Sequence, residues 1–218
     1  AFMKPSDELM ITTFLESKGL KFHRQSIKRR LDEVRIQMPY SSLALNNPGD
    51  REHYLISFNE ELLNRFDLGE YGQELFDYMS TREPKWLLAR GSISFLKKLR
   101  SLGFNLGIAS NFDRSLRGKL ESLGVLNFFS EIIVSVEVGL EKPEIDFFKH
   151  IVLTSGALPE NIFYIGDSHH LDYEPAVSCG INAIHLSRHH RSPRSSEDHV
   201  SNFKEALHRI MRLSDVHA

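Results

Sequence analysis

The 218-residue sequence predicts an α/β protein with a parallel sheet, preceded by a small all-helical unit. Two observations carry this reading. Up to Lys85 the apolar residues recur at helical spacing, with no convincing strand among them. From Trp86 onward short apolar runs alternate with amphipathic segments of helical length, the pattern of right-handed crossovers in a sheet covered on both faces. The spacing therefore divides the chain into a helical unit over 1–85 and an α/β unit over 86–218.

The helical unit has four stripes. Leu9, Met10, Thr13, Phe14 and Leu15 form the first, and Ile27, Leu31 and Val34 the second. Tyr54, Leu55, Phe58, Leu62, Leu63 and Phe66 form the third, and Leu75, Phe76 and Met79 the fourth. Pro39, Pro48-Gly49 and the stretch from Gly69 to Gly72 separate them. In the second unit, helices are expected over 92–102, 114–123, 144–155, 174–179 and 201–213. Strands are expected over 104–109, 131–136, 162–165 and 182–186. The polar stretch 187–198 reads as a loop.

Composition narrows the function. The chain is 41% hydrophobic and 26% charged, ordinary for a globular protein. No run approaches the roughly 18 apolar residues of a membrane span, and no apolar signal-peptide core opens the sequence. A formal charge of −2 argues against a dedicated nucleic-acid binder. Cys179 is the single cysteine, so no intrachain disulfide is possible, and a cytoplasmic or other reducing compartment fits. Neither a Gly-x-Gly-x-x-Gly nor a Walker-type motif is present. Of the eleven histidines, the pairs His169-His170 and His189-His190 lack metal-ligand spacing and read as loop residues. Lys28-Arg29-Arg30 and the arginines between Arg188 and Arg194 read as solvated faces, Cys179 as a core thiol, and Trp86 and Phe95 as core.

Ligands of an open parallel sheet bind beyond the carboxyl ends of its strands, so the residues there are the candidates. One strand ends in Ser110-Asn111-Phe112-Asp113, a hydroxyl followed by backbone amides at a turn, able to cradle an anion or simply to cap the turn. Another ends in Gly166-Asp167, with Asp172 five residues on; two such carboxylates suit a hard cation, or Asp172 caps the following helix. Between them, Gly139-Leu140-Glu141-Lys142-Pro143-Glu144 places a lysine at a helix start, as a point charge for an anion or as a surface residue.

Taken in order, Ser110-Asn111, Gly-x-x-Lys142-Pro143 and Gly166-Asp167-x-x-x-x-Asp172 resemble motifs II, III and IV of the haloacid dehalogenase-like (HAD) hydrolase superfamily. The Ser-Asn-Phe-Asp-Arg and Cys-Gly-Ile-Asn-Ala-Ile stretches look most like the haloacid dehalogenase-like hydrolase domain-containing proteins. The resemblance implies a Rossmann-like core with a parallel sheet and, before Lys85, an inserted helical C1 cap. It implies that Ser110 and Asn111 bind the substrate's phosphoryl group and that Lys142 neutralises nucleophile and phosphate. Asp167 would bind Mg²⁺, with Asp172 a second metal ligand or an orienter of Lys142. The substrate implied is a small phosphorylated metabolite, with neither nucleic acid nor membrane as partner.

One part of the family pattern is missing. Its nucleophile is the first aspartate of an Asp-x-Asp-x-Thr motif at the end of the central strand, and residues 1–218 contain no Asp-x-Asp. The first, central strand is therefore expected to be absent from this chain, its place filled, if at all, from outside these residues. The leading expectation is a Mg²⁺-dependent phosphatase, N-terminally incomplete as written. A catalytically inactive scaffold with a protein partner is the second. A 2-haloacid dehalogenase is the third, since that branch of the family lacks the Gly-Asp present here.

Overall fold

The computed structural model describes residues 2–3, 7–45, 47–82, 86–187 and 198–216. They fall into two compact units, Phe2–Leu87 and the residues from Leu88 onward.

The first unit packs four helices: α1 (Asp7–Ser17), α2 (Arg24–Gln37), α3 (Pro48–Asn64) and α4 (Gly72–Thr81). Its core is Ile11, Phe14 and Leu15 from α1, Ile27, Leu31 and Val34 from α2, Leu62 and Leu63 from α3, and Leu75 from α4. The inward face of α1 thus runs through Ile11, while Leu9, expected on that face, stays 44% exposed. Asn47 starts α3: its side chain accepts the Gly49 N–H at 3.0 Å, and Pro48 takes the first helical position, where its missing N–H costs nothing. Gly72 lets α4 approach α3, because a Cβ there would overlap the side chain and backbone of Glu60. Lys28, Arg29 and Arg30 lie on α2, where Arg29 and Arg30 pair with Glu33. A short strand that the helical spacing did not indicate, β1 (Phe2–Met3), pairs with β2 (Leu87–Leu88).

The second unit is α/β. Its order is α5 (Ser92–Ser101), β3 (Gly107–Ser110), α6 (Leu116–Ser122), β4 (Glu131–Val134), α7 (Ser135–Val138) and α8 (Ile145–Ser155). There follow β5 (Phe163–Gly166), a π-helical turn at His169–Tyr173, α9 (Glu174–Ser178), β6 (Asn182–Leu186), β7 (His199–Val200) and α10 (Phe203–Val216). Every ladder in this unit is parallel. β3 aligns Gly107 with Glu131 and Ser110 with Val134 of β4. β5 aligns Phe163 with Asn182 and Gly166 with His185 of β6, and β6 pairs in turn with β7. The sheet is in two pieces: among the described residues no ladder joins β3 to β5.

Alternation along the strands fills two layers. Ile184 and Leu186 point to a core shared with Phe95 and Leu99 of α5 and Phe203, Ala206 and Ile210 of α10. Ala183 points the other way, to a core with Phe147, Phe148 and Ile151 of α8 and Ala176 of α9. Phe95 stacks on Phe203 with ring centroids 4.9 Å apart. Cys179 rests at the edge of the second core, half-buried rather than enclosed. No helix among the described residues is long and apolar enough to cross a membrane.

β7 lies just beyond the expected loop over 187–198, of which residues 188–197, including His189-His190 and Arg188–Arg194, are outside the described residues. Its partner α10 starts with a reciprocal cap. Asn202 Oδ1 accepts the Glu205 N–H at 3.0 Å, and the Glu205 carboxylate accepts the Ser201 N–H at 2.7 Å. The Ser201 amide and hydroxyl hold the Glu205 carboxyl below its ordinary value. Because the folded value is the lower one, this contribution is present above the ordinary glutamate range and is lost as pH falls through the lowered value. Replacing Asn202 with alanine should destabilise the chain by about 1 kcal/mol in urea unfolding at neutral pH.

Candidate functional site

The end of β3 and the start of α8 are tied by one side-chain amide. Asn111 Nδ2 donates to the Lys142 carbonyl at 2.9 Å, and the Lys142 N–H donates to Asn111 Oδ1 at 2.8 Å. This pair fixes the backbone of Lys142, whose peptide bond to Pro143 is cis, against the residue after Ser110. Ser135, fully buried at the end of β4, does the same for the next residue: its hydroxyl accepts the Phe112 N–H at 3.0 Å and lies 3.2 Å from the Phe112 carbonyl, to which it donates. The Ser110 hydroxyl, partly buried, makes no hydrogen bond among the described residues.

At the end of β5 the chain turns back on itself. The Ser168 hydroxyl accepts the Leu171 N–H at 3.1 Å, the Ser168 carbonyl accepts the Asp172 N–H at 3.0 Å, and the Ser168 N–H donates to Asp172 Oδ2 at 3.0 Å. Asp172 is thereby folded over Gly166, where a Cβ would overlap its side chain. Asp172 Oδ1 accepts the Lys142 ammonium at 2.6 Å and the Tyr164 hydroxyl at 3.2 Å. The ion pair is well shielded: the side chains of Lys142 and Asp172 are 14% and 4% exposed. In contrast, Asp167 is exposed, and its carboxylate has no hydrogen bond or ion pair among the described residues.

Beside this turn lies a group of rings. His185 and His199 face one another with their Nδ1 atoms 2.7 Å apart, so that one donates and the other accepts, and His185 Nε2 lies 3.1 Å from the Asp167 carbonyl. His169 stacks on His199 with centroids 5.6 Å apart, its Nδ1 3.2 Å from Glu174, which also meets His170. His169 is therefore part of a packed ring cluster rather than a freely solvated loop residue.

The structure brings Asn111, Lys142 and Asp172 into one chain of direct hydrogen bonds spanning the two pieces of sheet, while the side chains of Ser110 and Asp167 are not joined to it. Ser135, Tyr164 and Ser168 belong to the same network without standing out in the sequence. The signal for Ser168 was its place in Gly-Asp-Ser at a strand end; for Ser135 and Tyr164 only contacts distant in sequence reveal the connection. The donor set fits Mg²⁺ poorly. A hard cation takes six or more oxygens; Asp167 offers one free carboxylate, whereas both Asp172 oxygens are occupied. Among the described residues no three His, Cys, Asp or Glu side chains are grouped to hold a metal ion.

A parallel α/β unit with these residues at its strand ends has a clear family. Residues 41–186 match the family model for haloacid dehalogenase-like hydrolases, and the chain belongs to that family. Among curated relatives, the zebrafish (Danio rerio) haloacid dehalogenase-like hydrolase domain-containing protein 3 is 34% identical over 103 residues, 47% of this chain and 43% of that protein. The glyceraldehyde 3-phosphate phosphatase of Methanopyrus kandleri is 33% identical over 128 residues, 57% of this chain and 54% of its own. The chain thus spans about half the length of these relatives. Among solved structures, a HAD phosphatase from Thermococcus onnurineus superposes with a TM-score of 0.57 at 22% identity, covering 94% of this chain and 87% of that one. A dehalogenase solved with an intermediate complex gives 0.67 at 14% identity, covering 94% and 91%. These structures share the HAD-like fold, and fold alone does not separate phosphatase from dehalogenase.

Proposed function

We propose that this chain supplies the phosphoryl-holding part of a phosphate-ester hydrolase acting on a small phosphorylated metabolite. The observation that carries the reading is the state of Lys142: its backbone is clamped by Asn111, the residue after Ser110 at the end of β3, and its ammonium is held by Asp172. Among the described residues the ammonium makes one hydrogen bond of the three it can donate. A fixed cation and a hydroxyl donor are what a phosphoryl dianion needs, since the transfer depends on positioning and charge stabilisation. The phosphatase names of several relatives support the same class.

In this reading Lys142 and Ser110 bind the phosphoryl oxygens, and Asn111 and Asp172 hold Lys142 in place. Asp172 therefore acts as the orienter of Lys142 rather than as a metal ligand, and Asn111 acts through Lys142 rather than on substrate. Among the described residues Asp167 is the site carboxylate without a hydrogen bond or ion pair, and no further carboxylate or histidine groups are gathered with it to complete a Mg²⁺ donor set. The attacking carboxylate is not among residues 1–218 in an Asp-x-Asp motif, and we assign it to a strand from outside these residues lying between β3 and β5. That same lack is the observation favouring a scaffold with a protein partner as the second reading.

Ser110→Ala tests the assignment, because the hydroxyl supports nothing structural. Orthophosphate binding measured by calorimetry should weaken about ten- to a hundredfold, the loss of one hydrogen bond to a charged group, with thermal unfolding unchanged. Orthophosphate binding that is absent in the unmodified chain, or equal in the variant, would refute the phosphoryl site and leave the scaffold reading.

A further inference from the structure

We infer that Tyr164 is a positioning residue that sets the Lys142 ammonium through Asp172, an assignment whose use in catalysis rests on the phosphoryl-holding role proposed above. Lysine is a point charge on a flexible stem of four carbons, so its usefulness depends on what holds its end. Here the holder is Asp172, and Asp172 is itself held at both oxygens. Oδ2 accepts the Ser168 N–H at 3.0 Å, which fixes one end of the carboxylate to the backbone. The remaining freedom is rotation of the carboxylate plane, and the Tyr164 hydroxyl at 3.2 Å from Oδ1 restrains it on the same oxygen that meets Lys142.

The hydroxyl is placed by the core. Tyr164 sits on β5 with its side chain on the face opposite Phe163 and Ile165, against the cluster built by Phe147 and Phe148. Its ring meets that of Phe148 edge-on with centroids 5.2 Å apart, and Phe148 is fully buried. Burial, and after it the Asp172 charge, pushes the phenol well above its ordinary value, so it stays a donor at any physiological pH. A neutral donor on Oδ1 also shares the carboxylate's charge with Lys142 without adding a competing cation. Two of the ammonium's N–H groups are left for an anion. The network thus runs from a rigid aromatic layer, through one hydroxyl and one carboxylate, to the cation.

Tyr164→Phe removes the hydroxyl and keeps the ring. Two measurements on the chain read the effect. The first is the rate at which Lys142 is acetylated by a water-soluble acylating reagent at fixed pH, followed by mass spectrometry against exposed Lys149. The second is the orthophosphate dissociation constant by calorimetry. The expected result is about a three- to tenfold faster acetylation of Lys142 with Lys149 unchanged, and a weakening of orthophosphate binding of the same order. The thermal unfolding midpoint should stay within a few degrees of the unmodified chain, as for the loss of about one hydrogen bond. A Lys142 rate equal to that of the unmodified chain would overturn the proposal, and so would a rise shared by Lys149, which would report general loosening. If the unmodified chain binds no orthophosphate, the phosphoryl reading fails, and the labelling ratio still decides the role of Tyr164.

Discussion

Gly166→Ala should cost about 3 kcal/mol in chemical denaturation, at the upper end of what one added methyl does in a packed interior. The position has no room: the new Cβ would overlap the Cβ, the Cγ and an oxygen of Asp172. Neither party can yield cheaply. Gly166 is in ladder register with His185, and Asp172 is fastened at both ends, through its own N–H to Ser168 and through its carboxylate to Ser168, Tyr164 and Lys142. Relief requires the turn to open, and opening strands the Lys142 ammonium. A variant as stable as the original chain would show that Asp172 does not sit over Gly166.

Asp172→Ala should be of similar size, about 3 kcal/mol, because removing one member of a shielded ion pair leaves the other uncompensated. The alanine variant also leaves the Ser168 N–H and the Tyr164 hydroxyl without their acceptor. Asp172→Asn separates charge from shape. Its amide oxygen can still accept from Lys142 and Tyr164, but its NH₂ group faces the Ser168 N–H, donor against donor. Equilibrium unfolding should therefore rank the chains original, asparagine, alanine. An alanine variant within experimental error of the original would remove Asp172 from any part in holding the turn.

Much of the fold was legible in the sequence because strands and helices differ in period. β6 lies at Asn182–Leu186, where it was expected, and β4, β5 and α8 begin or end within a residue or two of the expected positions. The short elements escaped for a physical reason. β7 has two residues and α7 four, too few to show a period, and β7 exists only through its pairing with β6. The absent Asp-x-Asp motif led to the expectation of no central strand; among the described residues the β3–β4 and β5–β6–β7 ladders are separate.

The site was legible as a set of positions and not as a set of contacts. Strand ends and helix starts singled out Ser110, Asn111, Lys142, Asp167 and Asp172. Which residues hold and which are free could not be read there, because the deciding bonds link residues 30 and 31 apart in sequence. A carboxylate five residues after Gly-Asp can equally cap, ligate or pair. The difference between Asp167, exposed and free, and Asp172, enclosed and taken, depends on the π-helical turn between them.

The division of the sheet has a mechanical consequence. A ladder of backbone hydrogen bonds is a stiff joint, since every bond is anchored in the main chain on both sides. The seam between β3 and β5 has no such ladder among the described residues; the Lys142–Asp172 ion pair crosses it on rotatable side chains, and the Phe104–Phe163 ring contact and the core shared by Ala109, Ile133 and Tyr164 cross it by packing. Displacement of one half-sheet against the other therefore works against side-chain packing and torsion rather than a main-chain ladder, and the seam-facing amides of both strands have no ladder partner among the described residues. In hydrogen–deuterium exchange this gives a distinct signature: along β3 and β5 slow amides alternate with fast ones, the slow set being those bonded to β4 and β6, whereas β6, paired on both sides at its end, is slow at His185 and Ser187.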